Sequence, residues 1–348
     1  MFRPLFFASR VIITGQVRND EGEMMQTGAV HREAERLIAE GRPGDAVNVI
    51  RSNAEAGDAE ALYILGQCHL TGGLVPRDLA QSRDCFRRAA AAGMKEAHRI
   101  WLNFLANGTG GKRDWTGVID GLRTIADDEW ASKQSALLDQ MELSSEGDPT
   151  NIPPARHLSE APEVILFPAL FTAQECAYLV AMAEPMFGPS VVVDPATGKL
   201  ISNPIRTSEG AGFPLLFETP FLHALNRRIA AASGTTVDQG EPLQVLRYSP
   251  GQEYKAHFDA LPNAGNQRAL TMLVYLNDDY DGGETAFVRT GLKVKGRIGD
   301  GLLFRNAGPD GRPDPMSHHA GLPVLRGRKL IASRWIRARP LDLMSPNG

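Results

Sequence analysis

The residues able to do chemistry cluster late in this chain. The segment YSPGQEYKAHFDA places His257 and Asp259 one residue apart, and PMSHHAGLPV supplies His318 and His319 farther along. Residues i and i+2 of a strand share a face, so a strand over 254–259 lets His257 and Asp259 reach one ion while Phe258 packs on the other side. A third ligand then has to come from a distant strand, with His318 and His319 as the candidates. Two histidines and one carboxylate on one side of an ion leave three positions open, the arrangement that suits non-haem Fe(II) and oxygen chemistry. The H-E-x-x-H signature of zinc proteases is absent. Alone, an H-x-D pair is weak, because it arises by chance in many chains and a lone histidine is more often hydrogen-bonded than metal-bound.

The neighbouring motifs outweigh that bland reading. YSPGQEYKAHFD (248–259), RALTMLVYLND (268–278), GGETAF (282–287), GDGLLF (299–304), HAGLPVLRGRK (319–329) and ASRWI (332–336) occur in order. Together they resemble the prolyl 4-hydroxylase-like branch of the 2-oxoglutarate and Fe(II)-dependent dioxygenases. The resemblance covers 241–337, weakens upstream through VILFPALF and IRTSEGAGF, and does not reach the N-terminal half. It implies a double-stranded β-helix, a jelly-roll barrel with flanking helices, and Fe(II) with 2-oxoglutarate and O2 as cosubstrates and ascorbate as a reductant. It implies His257, Asp259 and His319 as the catalytic metal ligands, because the H-A-G-x-P-V pattern places the ligand directly before Ala320-Gly321 and sends His318 to the opposite face.

Lys329, ten residues after His319, falls where the family binds the distal carboxylate of 2-oxoglutarate. A dicarboxylate entering a dry barrel needs a buried cation, since an unpaired buried charge is very costly. Arg328 beside it points outward by strand alternation. Thr271 and Tyr275, four apart on one strand, correspond to hydroxyl residues near that carboxylate, with half-buried packing as their alternative. Tyr254 resembles the family tyrosine near the active site. Arg268 and Trp335 resemble residues lining the substrate groove, with core packing as the alternative for Trp335. Gly282-Gly283 reads as a turn with positive φ.

The implied reaction is hydroxylation of an unactivated C–H bond, most naturally of a prolyl residue in a protein or peptide, coupled to oxidative decarboxylation of 2-oxoglutarate to succinate and carbon dioxide. Asp259 favours hydroxylation over halogenation, which needs a small residue at that place. Two rivals stand beside it. One is a hydroxylase of a free amino acid or other small molecule. The other is a repeat-based scaffold with an inactive oxygenase domain, against which the full ligand set and Lys329 speak. GTGGKR (108–113) lacks the Ser or Thr and the glycine spacing of a phosphate loop. The loops 306–318 and 190–208 are the expected seats of substrate preference.

These residues need elements to position them. A length of 348 residues suggests about two domains. Residues 29–145 are alanine-rich and repeat at 36: Ile50 aligns with Phe86 and Leu122, Ala54 with Ala90 and Ala126, and Arg77-Asp78 with Arg113-Asp114. Such a period marks a helical repeat. The stretch 61–97 resembles the Sel1-like variety of tetratricopeptide repeat, which implies a solenoid able to recruit a protein or peptide substrate, with a plain spacer as the alternative. Residues 1–28 read as a disordered tail and 146–162, rich in proline, as a linker. Residues 163–342 form the oxygenase domain, opened by a strand over 163–171 and a helix capped by Thr172 with Glu175. A second helix starts at Thr219-Pro220, and short strands separated by turn residues fill the rest.

Composition bounds the partners. Lys plus Arg is 37 against 41 Asp plus Glu, a net charge of −4 with no basic stripe, which disfavours nucleic acid. No apolar run has the length of a membrane span. Three scattered cysteines without a C-x-x-C fit a reducing, cytoplasmic setting.

Overall fold

A computed structural model of the chain describes residues 28–193, 200–202, 205–262 and 264–342. Apart from Gly28, the tail expected at 1–28 lies outside them. The described residues divide into two compact units, 28–147 with 216–223, and 148–215 with 224–342.

The first unit is helical: α1 (Ala29–Ala39), α2 (Pro43–Glu55), α3 (Ala59–Thr71), α4 (Leu79–Ala91), α5 (Lys95–Asn107), α6 (Trp115–Thr124) and α7 (Glu129–Leu138). The 36-residue period appears as cap chemistry. Gly72 and Gly108 end α3 and α5 at φ 74° and 80°, in the left-handed conformation that strains any residue with a Cβ. Asp78 and Asp114 then cap α4 and α6 by accepting from the amides of Gln81 (3.0 Å) and Gly117 (2.8 Å). Ile50, Phe86 and Leu122 all sit in the core. The period decays at its end, since Ala54 is buried, Ala90 half-buried and Ala126 exposed. Residues 216–223, expected in the oxygenase domain, group with these helices: Asn103 Nδ2 donates to the Leu216 carbonyl at 2.9 Å, and the Phe221 amide donates to Gln134 Oε1 at 3.0 Å.

The second unit is dominated by antiparallel sheet. Its first strand, β1 (Arg156–Glu160), corrects the linker expected at 146–162. The prolines there break structure only around 149–154, and RHLSE beyond them pairs with β2 (Glu163–Phe167) across the turn at Ala161-Pro162. β2 is shorter than the expected 163–171, because Ala169 turns the chain at φ 51°. Helix α8 (Ala173–Ala183) follows, with the capping box between Thr172 and Glu175 in place. Next come β3 (Gly188–Pro189), β4 (Val191–Val193), β5 (Leu200–Ser202), β6 (Glu209–Gly212) and helix α9 (Pro220–Ser233). The remaining strands are β7 (Gln244–Tyr248), β8 (Tyr254–His257), β9 (Arg268–Tyr275), β10 (Asp281–Gly282), β11 (Thr285–Phe287), β12 (Lys293–Val294), β13 (Gly301–Arg305), β14 (His319–Gly321), β15 (Val324–Arg326) and β16 (Lys329–Arg337).

An eight-stranded sheet runs in the order β1-β2-β13-β9-β16-β7-β6-β3, and a four-stranded sheet in the order β12-β11-β14-β8. Leu246, Tyr275, Phe304 and Ile331 of the larger sheet share one buried cluster with Phe287 and Val294 of the smaller. The two sheets therefore pack face to face on a common core. Among the described residues no helix is long and apolar enough to cross a membrane.

Glu175 also anchors this unit. Besides closing the cap of α8, its carboxylate takes both terminal nitrogens of Arg228, at 2.7 and 2.9 Å, in a buried pair. Removing one partner of such a pair strands the other charge. Glu175→Ala is therefore expected to cost about 3–5 kcal/mol in urea unfolding, against about 1 kcal/mol for Asp114→Ala at an exposed cap.

Candidate active site

Pairing of β8 with β14 sets His257 directly opposite His319. Asp259 lies two residues past the end of β8, in a bend rather than in the strand expected to continue through it. The bend still turns the carboxylate toward both rings: His257 Nε2 lies 3.5 Å from Oδ1 and His319 Nε2 3.7 Å from Oδ2. One ligand atom from each of the three residues lies within 4.8 Å of the others, and all three are buried. His318 faces away, its ring stacked on Phe258 at 4.6 Å. Phe258 is 43% exposed, so it is a surface partner of His318 and not the packed residue expected opposite His257.

Backbone carbonyls fix both rings. His257 Nδ1 sits 2.8 Å from the Lys255 carbonyl, and His319 Nδ1 sits 2.9 Å from that of Ser317. A carbonyl only accepts, so each Nδ1 holds the proton and each Nε2 lone pair points at the shared centre. Tyr254 stacks on His257 at 3.5 Å, while Phe304 and Phe287 enclose His319 at 4.7 and 5.9 Å. Burial pushes the His319 imidazole down to about 4, against the pull of Asp259, which keeps it neutral and able to coordinate. Burial raises the Asp259 carboxyl, but His257, His319 and the Thr271 hydroxyl together bring it well below the usual carboxylate range.

A narrow pocket of about 40 Å³ lies over these ligands and is also lined by Tyr248, Thr285, Lys329 and Ile331, with Trp335 and Arg206 on its wall. Lys329 starts β16, is 4% exposed and donates to the Gly283 carbonyl at 2.7 Å. No carboxylate pairs with it among the described residues, and burial pushes its ammonium down to about 8, with Glu284 opposing. A buried, unpaired cation a short way from a metal-competent triad is the receptor a dicarboxylate chelator would require.

The other expected residues are distributed differently. Thr271 is turned to Asp259, donating to Oδ2 at 2.7 Å, and so serves the ligand cluster instead of the lysine end. Tyr275 directs its hydroxyl to the Val294 carbonyl at 3.2 Å, with Thr285 Oγ1 at 3.4 Å, and meets Lys329 only through its ring at 5.9 Å. Thr271 and Tyr275 share a strand but not a task. Arg268 lies flat over Trp335 at 3.7 Å and is clamped by Glu241 at 2.6 and 2.8 Å. Sequence reasoning missed Tyr248, Thr285 and Arg206. All three sit inside motifs already singled out, YSPG, GGETAF and IRTS, where the register of β7, β11 and the Arg206–Tyr254 bridge turns them inward.

The profile of the 2OG-Fe(II) oxygenase superfamily matches residues 243–337, the span that holds every one of these ligands. Prolyl 4-hydroxylase 1 of Arabidopsis thaliana is 38% identical over 201 residues, covering 52% of this chain and 71% of that protein. The probable prolyl 4-hydroxylase 3 of the same plant is 36% identical over 203 residues, covering 51% and 70%. This chain belongs to the prolyl 4-hydroxylase family of 2-oxoglutarate- and Fe(II)-dependent dioxygenases. Among solved structures, a viral collagen prolyl hydroxylase from Paramecium Bursaria Chlorella virus-1 with 2-oxoglutarate aligns at 28% identity and a TM-score of 0.42, covering 51% of this chain and 96% of that one.

A dioxygenase of this family needs Fe(II), 2-oxoglutarate and O2, and the donor set fits them: two neutral imidazoles and one carboxylate for a borderline divalent metal, and an ammonium for the cosubstrate. His319→Ala is expected to abolish Fe(II)-dependent turnover of 2-oxoglutarate, as are His257→Ala and Asp259→Ala, while His318→Ala retains most of it. Lys329→Met should weaken 2-oxoglutarate binding roughly ten- to a hundredfold, the loss of one charge-assisted contact, with metal affinity nearly unchanged. The sign of the pH effect follows from the depressed ammonium. Lys329 is cationic below about 8 and neutral above. Calorimetric affinity for 2-oxoglutarate should therefore fall as pH rises through about 8 in the native chain, and Lys329→Met should lack that slope.

Proposed function

We propose that this enzyme hydroxylates prolyl residues in a polypeptide. The reading rests on one observation: the Nε2 atoms of His257 and His319, the Asp259 carboxylate and the buried Lys329 ammonium line a single pocket. The similarity to prolyl 4-hydroxylases supplies the substrate class. In this reading the two sheets are the halves of a double-stranded β-helix, with the 163–342 segment as the oxygenase domain.

Bound iron, with 2-oxoglutarate and O2, supplies the oxidising power and the oxygen atom for C–H hydroxylation. The chain does the rest. Imidazole nitrogens fixed by the Lys255 and Ser317 carbonyls hold the metal together with Asp259. Lys329, on the wall of the same pocket, would hold the distal carboxylate of 2-oxoglutarate and so orient its other end toward the three ligands. Phe287 and Phe304 keep water from the His319 side. Trp335, braced beneath Arg268, forms a flat wall against which a proline ring can lie.

The helical unit, read as a Sel1-like solenoid, recruits the polypeptide. Remote binding surface lowers KM without touching the reacting centre. Mass spectrometry of proline-containing peptides incubated with the enzyme, Fe(II) and 2-oxoglutarate is expected to show one added oxygen on proline, with stoichiometric succinate. Oxygen added only to free amino acids would transfer the reading to a small-molecule hydroxylase. Recruitment predicts a lower KM for a whole protein substrate than for a short peptide around the same proline, at similar kcat.

A further inference from the structure

Behind Asp259 lies a second residue that no ligand motif contains. Asn306 follows β13 and is fully buried. Its Nδ2 donates to Thr271 Oγ1 at 2.7 Å, and Thr271 Oγ1 in turn donates to Asp259 Oδ2 at 2.7 Å. We propose that Thr271 and Asn306 form a one-way hydrogen-bond relay that positions the iron-binding carboxylate; this rests on the reading of His257, Asp259 and His319 as the metal site.

The direction of the relay follows from what each group can do. An ionised carboxylate accepts only, whereas a threonine hydroxyl has one proton that it can send either way. An amide N–H pointed at Oγ1 uses the hydroxyl as an acceptor and leaves its proton free for Asp259. The reverse setting of the amide, with Oδ1 toward Thr271, would draw the hydroxyl proton away and leave Oδ2 of a buried anion without its donor, which is the costlier arrangement. Oδ2 is thus engaged by the protein, and Oδ1, which faces His257 Nε2, is left to the metal.

Asn306 is itself immobilised. Its backbone N–H donates to the Ala269 carbonyl at 2.8 Å on the approach to Thr271, and its backbone carbonyl accepts from the Asp314 N–H at 2.8 Å. The loop that leaves Asn306 returns at Ser317, whose hydroxyl donates to the Asp314 carbonyl at 2.7 Å and whose own carbonyl holds His319 Nδ1. Two of the three ligands are therefore oriented from the two ends of one loop. Partners of this kind are positioning residues: they touch neither substrate nor oxygen, yet they set how well the ligands meet the ion.

The test uses the full chain with Co(II) as the probe, so that it reads metal binding and not turnover. Thr271→Val keeps the shape and removes the hydroxyl. It is expected to weaken Co(II) about 10–100-fold and to change the visible spectrum of the bound ion, as loss of an outer-sphere partner does. Thr271→Ser restores the hydroxyl and is expected to bind within about threefold of the native chain. Asn306→Leu should also weaken Co(II), and the double variant should be no worse than Thr271→Val, because Asn306 acts only through the hydroxyl. The metal-free melting temperature of each variant separates loss of fold from loss of binding. Native affinity and spectrum in Thr271→Val would overturn the relay. So would equal losses in Thr271→Ser and Thr271→Val, which would point to packing, or additive losses in the double variant. A native chain that binds Co(II) through the three ligands but hydroxylates no prolyl peptide would sink the proposed function and leave the relay standing.

Discussion

A buried carboxylate facing two imidazole nitrogens is the constraint around which the oxygenase unit is organised. Asp259 is 4% exposed and makes no ion pair with Lys or Arg among the described residues; its neighbours are His257 Nε2, His319 Nε2 and the Thr271 hydroxyl. Removing an isolated carboxylate from water is expensive unless a cation or strong donors compensate. One hydroxyl offsets part of that cost. The two imidazoles offset most of the rest, and together with that hydroxyl they hold the carboxyl well below the usual carboxylate range. Lys329 repeats the logic with the opposite sign, as an ammonium buried against the Gly283 carbonyl.

Both buried charges need a scaffold that cannot relax around them. The β8–β14 pairing sets the spacing of the two imidazoles, and the core cluster shared by the two sheets holds β9 and β16 behind them. Thr271 on β9 lies between Phe304 and Trp335 of its neighbouring strands, so the hydroxyl that reaches Asp259 stands on the most constrained part of the sheet. Lys329 is the first residue of β16 and pairs with Tyr248, so sheet register brings both to the pocket wall. The loop from Asn306 to His318 is tied at both ends to the cluster, through Thr271 to Asp259 and through Ser317 to His319.

Much of this was legible in the sequence where local chemistry repeats a rule. The 36-residue period aligned Ile50, Phe86 and Leu122, which are all buried, and Asp78 with Asp114, which both cap helices, because caps and core positions recur with each unit. Thr172 with Glu175 marked the start of a helix, and the H-x-D and H-A-G segments named the three residues that gather into one buried cluster. What the sequence left hidden depended on contacts between distant residues. A strict two-residue alternation suggested that β8 runs through Asp259 and that Thr271 and Tyr275 do one job. The bend after His257 and the separate partners of the two hydroxyls undo both expectations. Prolines at 149–154 masked a strand directly after them, because breaker signals were extended beyond the residues that carry them. Thr285 lay within a familiar motif and Asn306 just past one, but only the folded contacts reveal which way their side chains face.

The central claim is that one ion is held by His257 Nε2, His319 Nε2 and Asp259 Oδ1, with the distal end of 2-oxoglutarate on Lys329. Crystals grown anaerobically with Mn(II) and 2-oxoglutarate test it directly through the anomalous signal of the metal. A single peak about 2.0–2.2 Å from those three atoms, in the range of first-row metal ligation by nitrogen and carboxylate, with a 2-oxoglutarate carboxylate at hydrogen-bond distance from Lys329 Nζ, is the expected result. A metal bound through His318, ligation through either Nδ1, or a cosubstrate carboxylate held away from Lys329 would contradict it.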